Sequence, residues 1–105
     1  MDGFVSLDAN YAGGEFSTPP LVYSGRQLRL NLEASGGGSL RVEIQPESGL
    51  AIEGFSADDC DPINGSFMGK VVSWRGKTDL SAMAGKAVRL RFVMNDAKLY
   101  AFKFE

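Results

Sequence analysis

Thirteen carboxylates, eleven Lys and Arg side chains, one cysteine and no histidine are what this 105-residue chain offers for acid–base, nucleophilic or metal chemistry. Without histidine, serine–histidine and cysteine–histidine nucleophilic systems are excluded, and so is the commonest zinc ligand. Cys60 has no base to activate it and reads as a small packed hydrophobe. Carboxylates this numerous fall into pairs by chance in a small domain, so pairing alone does not mark a glycosidase. The chain reads as non-enzymatic.

The densest polar cluster is Asp58-Asp59-Cys60-Asp61-Pro62, with Asn64 nearby. Hard oxygen ligands suit calcium, and Asp58, Asp59 and Asp61 are the ligand candidates, although the glycine and glutamate spacing of an EF-hand is missing. Asp and Asn side chains also fold back onto turn backbones, so an ordinary hydrogen-bonded loop fits the same residues. No motif requires a cofactor; calcium is the one the chain could hold.

Flat aromatic faces stack on sugar rings while polar groups take the hydroxyls, and Tyr11, Tyr23, Trp74 and Tyr100 are the side chains to weigh. Tyr100 shares strand phase with Phe102 and Phe104, which assigns it to the core. Trp74 shares phase with Val72, so core packing competes with an exposed role. Tyr11 lies in a glycine-rich loop without apolar alternation. Arg89 and Arg91 project from the polar face of a strand, where a plain solvated face is the alternative to a binding face. For a carbohydrate ligand the candidates are therefore Tyr11 and Trp74 as stacking surfaces, with Asp58, Asp59 and Arg91 as polar contacts.

The elements that position these residues are strands. Phe4 to Asp8 and Glu15 to Tyr23 read as the first two, the second interrupted by Pro19-Pro20 and so placed at a sheet edge or a strand switch. Leu28 to Ala34 and Leu40 to Gln45 alternate cleanly, and Ser35-Gly36-Gly37-Gly38-Ser39 between them reads as a hairpin loop. Leu50 to Phe55 and Lys70 to Trp74 are shorter candidates, separated by the polar connection Ser56 to Gly65. Asp79 caps a single helical turn over Leu80 to Ala84, closed by Gly85 in a left-handed conformation. Val88 to Met94 and Lys98 to Phe104 meet around Asn95-Asp96 as a tight hairpin. The reading is all-β: a two-sheet antiparallel β-sandwich, jelly-roll-like, with about eight strands and one short helical turn.

A chain of this length, 44% hydrophobic and 23% charged, makes one domain spanning residues 1–105. A formal net charge of −2 supplies no drive toward nucleic acid or anionic lipid, and neither is expected as a partner. A lone cysteine leaves the redox compartment open, no stretch is long and apolar enough to span a membrane, and the opening residues lack a signal peptide's pattern. Strand-like residues run from the first positions to Phe104, which reads as a module excised from a larger protein.

The stretches Asp2-Gly3-Phe4-Val5-Ser6-Leu7-Asp8, Phe55-Ser56-Ala57-Asp58-Asp59-Cys60-Asp61-Pro62-Ile63, Trp74 through Phe92, and Asp96-Ala97-Lys98-Leu99-Tyr100-Ala101-Phe102 carry a resemblance over nearly the whole chain. Together they resemble the C-terminal β-sandwich module that follows sugar-active β-propellers in secreted bacterial proteins of the family-32 glycoside hydrolase-like and sialidase-like kind. The resemblance implies a secreted or periplasmic location and an adjacent propeller that would hold any catalytic carboxylates. It implies a non-catalytic accessory module, either binding carbohydrate or packing against the propeller without a ligand of its own.

Overall fold

Apolar side chains recur at every second position in several stretches, and the structure, a computed structural model, turns these into strands. It describes residues 5–6, 13–34, 36–47 and 52–105. In chain order the elements are β1 (Val5–Ser6), β2 (Gly13–Ser17), β3 (Leu28–Ala34), β4 (Ser39–Pro46), β5 (Gly65–Val71), a 3-10 turn (Ser81–Met83), β6 (Val88–Asn95) and β7 (Lys98–Phe104). They form a four-stranded sheet ordered β1-β7-β3-β5 and a three-stranded sheet ordered β2-β6-β4, antiparallel throughout. Leu28, Leu30 and Leu32 from one sheet meet Leu40, Val42, Ile44, Leu90 and Phe92 from the other in one buried core. The fold is an all-β, jelly-roll-like sandwich.

Successive strands alternate between the two sheets, and this corrects two expectations. Neither the glycine-rich loop before Ser39 nor the Asp96-Ala97 turn joins a hydrogen-bonded hairpin. β3 and β4 lie in different sheets, as do β6 and β7. Each has a single apolar face, and two such strands can face one another across a core as readily as they can pair within a sheet. Alternation specifies which face is buried, not which neighbour takes the backbone bonds.

Seven strands form among the described residues rather than about eight. The eighth position lies along the outer edge of β4, where the 52–63 segment runs without becoming a strand. Leu40 and Ile63 exchange backbone bonds of 3.0 Å, and Ile44 bonds to Phe55 and Ile52 at 2.9 and 3.2 Å. Between them the edge groups of Val42 are taken by side chains: its N–H donates to the Cys60 sulfur at 3.3 Å, and its carbonyl accepts from the Trp74 indole at 2.9 Å. Internal turn bonds from Phe55 to Ile52 and from Cys60 to Ser56 divert the segment's backbone from a ladder. Of the strand expected over Leu50 to Phe55, residues 50–51 lie outside the described residues and Ile52 to Phe55 is a turn.

Other elements follow the residues closely. Pro19-Pro20 falls just after β2, an edge strand, and Leu21 resumes contact through a bridge to Val88. β5 begins at Gly65, earlier than the Lys70 start expected. The helical turn expected over Leu80 to Ala84 is shorter, a 3-10 turn whose N-cap position is Leu80 without a side-chain cap. Asp79 Oδ1 accepts from the Ser81 N–H at 2.9 Å just ahead of it, and Gly85, with φ of 85°, follows an already extended Ala84 in the turn that bonds Lys86 N–H to the Met83 carbonyl.

Tyr100 is a correction of another kind. It is 41% exposed, and its hydroxyl donates to Glu33 at 2.9 Å. The β3–β7 register passes from Asn31↔Ala101 to Leu32↔Leu99, so Tyr100 is an extra residue in a bulge. Bulging lets Leu99 and Phe102, three apart, both enter the core, and turns the tyrosine out. On the other side of β3 the register skips Gly69, whose N–H is taken by the Asn31 side chain at 2.8 Å.

Tyr23 closes the core at the 3-10 turn. Its hydroxyl donates to the Leu80 carbonyl at 2.6 Å, and its ring stacks on Phe104 at 4.1 Å between centroids. Burial, aided by the negative charge of Asp79, pushes the phenol up from its ordinary 10.0 to about 12. The fold thus favours the protonated form, and this contribution to stability is complete below pH 10 and drains as pH rises toward about 12. Urea midpoints followed from about pH 9 to 12 should fall more steeply for the native chain than for Tyr23→Phe. Equal slopes would remove Tyr23 as the cause.

Candidate functional site

The polar face of the three-stranded sheet gathers the charged alternates of β4 and β6. Arg41, Glu43 and Gln45 point outward from β4, and Arg89, Arg91 and Val93 from β6. The register sets Glu43 opposite Arg91, Gln45 opposite Arg89 and Arg41 opposite Val93. A plain solvated face would leave such side chains exposed, yet all six are half-buried or buried, and Glu43 is only 8% exposed.

Arg91 is the hub of this face. Its Nε and Nη2 donate to the two oxygens of Glu15 on β2 at 3.0 and 2.6 Å, a bidentate pairing, and Nη1 reaches Glu43 Oε1 at 3.4 Å. Glu43 also accepts from the Ala57 N–H at 3.0 Å and from the Gln45 amide at 2.6 Å. The Arg91 hydrogen bond holds the Glu15 carboxyl below its usual range, and the Glu15 bond in turn raises Arg91. One guanidinium therefore ties β2, β6 and β4 together, and Glu43 ties them to the loop that carries Asp58. Arg41 and Arg89, on the same face, have neither a hydrogen bond nor an ion pair among the described residues.

The structure thus brings Arg91 near the aspartate loop through Glu43 and Ala57, but it engages most of the aspartates. Asp59 accepts from the Ser56 hydroxyl at 2.9 Å and from Arg75 at 2.9 Å; the Ser56 hydrogen bond is the main cause of its lowered pKa. Asp61 accepts from the Ser73 hydroxyl at 2.6 Å and from the Gly76 N–H at 2.9 Å, and Ser73 chiefly lowers its pKa. Both donors sit around the two-residue turn Arg75-Gly76, whose φ values of 52° and 82° suit a tight hairpin between Trp74 and Lys77. Asp58 is exposed. Asn64, close by in sequence, spends its amide on the Gly36 and Gly38 carbonyls. Among the described residues no cluster of three or more His, Cys, Asp or Glu side chains is arranged to hold a metal ion.

Because Asp59, Asp61 and Asp79 all have lowered pKa values, the fold gains from their ionised forms. That stability is present above the ordinary aspartate value of 3.8 and is lost as pH falls through their lower folded values. Acid unfolding followed by circular dichroism should accordingly show a shallower loss below that value for Asp61→Ala than for the native chain. An identical acid limb in both proteins would contradict the assignment.

Trp74 leaves the candidate surface. It is 0% exposed, its indole N–H is bonded to Val42, and its ring meets Phe55 edge-on at 5.4 Å. No external ring can stack on it. Tyr11 lies outside the described residues. Cys60 is buried, and burial pushes its thiol up to about 11, which leaves it protonated and inert as a nucleophile. Tyr100, assigned to the core by its phase, is an exposed aromatic that sequence reasoning missed, and Phe67 on β5 is another. No local signal marked it, because a bulge is set by the facing strand. Arg41 and Glu43 were legible as the polar face of β4, but their burial was not. Comparison of the chain with models of known families, with curated proteins and with solved structures finds no match.

Proposed function

We propose that the chain is a non-catalytic, carbohydrate-binding accessory module of a secreted carbohydrate-active protein, with the polar face of the three-stranded sheet as its ligand surface. The observation that carries this is the Arg91 network, which holds half-buried carboxylate, amide and guanidinium groups in fixed positions across three strands. Sugar hydroxyls need donors and acceptors at set spacing, and side chains locked by one another bind without first being ordered. The resemblance to modules that accompany sugar-active propellers supports the same class of ligand.

Titrating the protein against a panel of soluble polysaccharides, with and without calcium, tests the proposal, with product analysis in the same samples. Saturable binding without hydrolysis is expected, weakened at least about tenfold by Gln45→Ala, which removes an amide from the face. Calcium dependence would locate the contact at Asp58. Hydrolysis abolished by changing a single carboxylate would make the chain an enzyme instead.

A second reading is favoured by a different surface. A groove of about 400 Å³ is lined by Phe16, Pro19, Pro20, Val22, Phe102 and Phe104 among others, and Val22 is 64% exposed. Thr18 also lines it, but its hydroxyl already accepts from the Leu90 N–H at 3.1 Å. Such a surface suits apolar protein side chains better than sugar. It fits a structural module that packs against a neighbouring β-propeller without its own ligand, and failure to bind any saccharide would leave this reading.

A further inference from the structure

Arg41 and Arg89 bear on the class of saccharide. Arginine presents a planar fork of donors matched to carboxylate and sulfate oxygens, and proteins commonly satisfy a half-buried one with a carboxylate of their own. Arg91 follows that pattern with Glu15 and Glu43. Arg41 and Arg89 are half-buried on the same face and have no such partner among the described residues. Among the described residues of β2, β4 and β6, three guanidinium groups meet two carboxylates, leaving positive charge on a chain whose formal net charge is −2.

Their placement adds a length. Arg89 sits opposite Gln45 and Arg41 opposite Val93, so the two are four residue steps apart along the sheet, with Arg91 and its two carboxylate partners, Glu15 and Glu43, between them. At about 3.3 Å per residue that is roughly 13 Å. A single anionic group cannot reach both, whereas an extended chain bearing repeated charges can. We propose that the ligand of this face is an acidic polysaccharide whose successive carboxylate or sulfate groups are taken by Arg41 and Arg89 while its hydroxyls meet Gln45 and the Arg91 network. The inference rests on the carbohydrate-binding reading and narrows it. Nucleic acid fits less well, because the described residues of β4 and β6 offer no aromatic side chain on this face for bases to stack on.

The test compares the whole chain with Arg41→Gln/Arg89→Gln in binding to polygalacturonate, carboxyl-reduced polygalacturonate, dextran sulfate, neutral dextran and single-stranded DNA. Neither arginine anchors another side chain among the described residues, so the variant should keep the native circular dichroism and melting temperature; each single substitution serves if it does not. The expected result is saturable binding to polygalacturonate or dextran sulfate that weakens as salt is raised, at least about tenfold weaker in the double variant, with little affinity for the neutral polymers. Preference between the two acidic polymers then tells carboxylate from sulfate. Neutral polymers bound as tightly as both acidic ones, or unchanged affinity in the variant, would overturn the acidic ligand and leave the carbohydrate reading standing. Binding to no saccharide at all sinks both. Arginine-dependent binding in which DNA matches or exceeds the acidic polysaccharides also overturns the proposal, in favour of a general polyanion surface.

Discussion

Trp74→Ala is expected to cost about 3–5 kcal/mol of folding stability, a large share of the roughly 5–15 kcal/mol that holds a domain folded. The side chain is the largest fully buried one in the core. Its loss leaves a cavity beside Phe55, and it also deprives the Val42 carbonyl of the indole donor that stands in for a missing strand neighbour. Trp74→Phe separates the two effects, since it keeps most of the volume and removes the hydrogen bond; about 1–3 kcal/mol is expected for the orphaned carbonyl and the residual gap. Urea unfolding followed by circular dichroism measures both, because the variants lack the chain's single tryptophan as a fluorescent probe. A cost below about 1 kcal/mol for the alanine variant would mean that the β4 edge is satisfied some other way.

Arg91→Met is expected to destabilise by about 2 kcal/mol, the second largest effect. Methionine fills similar space, so the change tests charge and hydrogen bonding more than volume. Glu43 would stay nearly buried with its Ala57 and Gln45 donors but without a counter-charge, and Glu15 would lose its bidentate partner. The full penalty of an unpaired buried charge is not reached because those two donors remain. A double-mutant cycle with Glu43→Gln should give a coupling energy of about 1 kcal/mol or more, since removing the carboxylate first makes the loss of the guanidinium cheaper. Strict additivity would mean that Arg91 and Glu43 act separately, and the ordered face on which the binding proposal rests would lose its centre.

How far the candidate site was legible depends on what each residue's role requires. Arg91 was correctly placed on a polar strand face because period two assigns faces without any knowledge of the partner strand. Its saturation by Glu15 and Glu43 was not legible, since those residues meet it from strands 76 and 48 positions away. The Asp58 to Asp61 cluster could be read as calcium ligands or as a self-bonded loop with equal chemical sense. The Arg75-Gly76 turn and Ser73 decide where Asp61 is engaged, and Ser56 with Arg75 decides it for Asp59.

By itself, the sequence determined that this is an all-β sandwich with a core of Leu28, Leu30, Leu32, Val42, Ile44, Leu90 and Phe92, because alternation and turn residues are local properties of the chain. For the same reason it limited the segment broken by Pro19-Pro20 to a sheet edge or a strand switch, and it located a short turn before a left-handed Gly85. Tertiary structure alone decided which strands share a sheet, that an irregular segment with Cys60 and Trp74 fills the edge of β4, and that Tyr100 turns outward while Trp74 turns in. Those outcomes depend on register against a facing strand, and a one-residue bulge reverses every side chain beyond it with no mark in the local pattern.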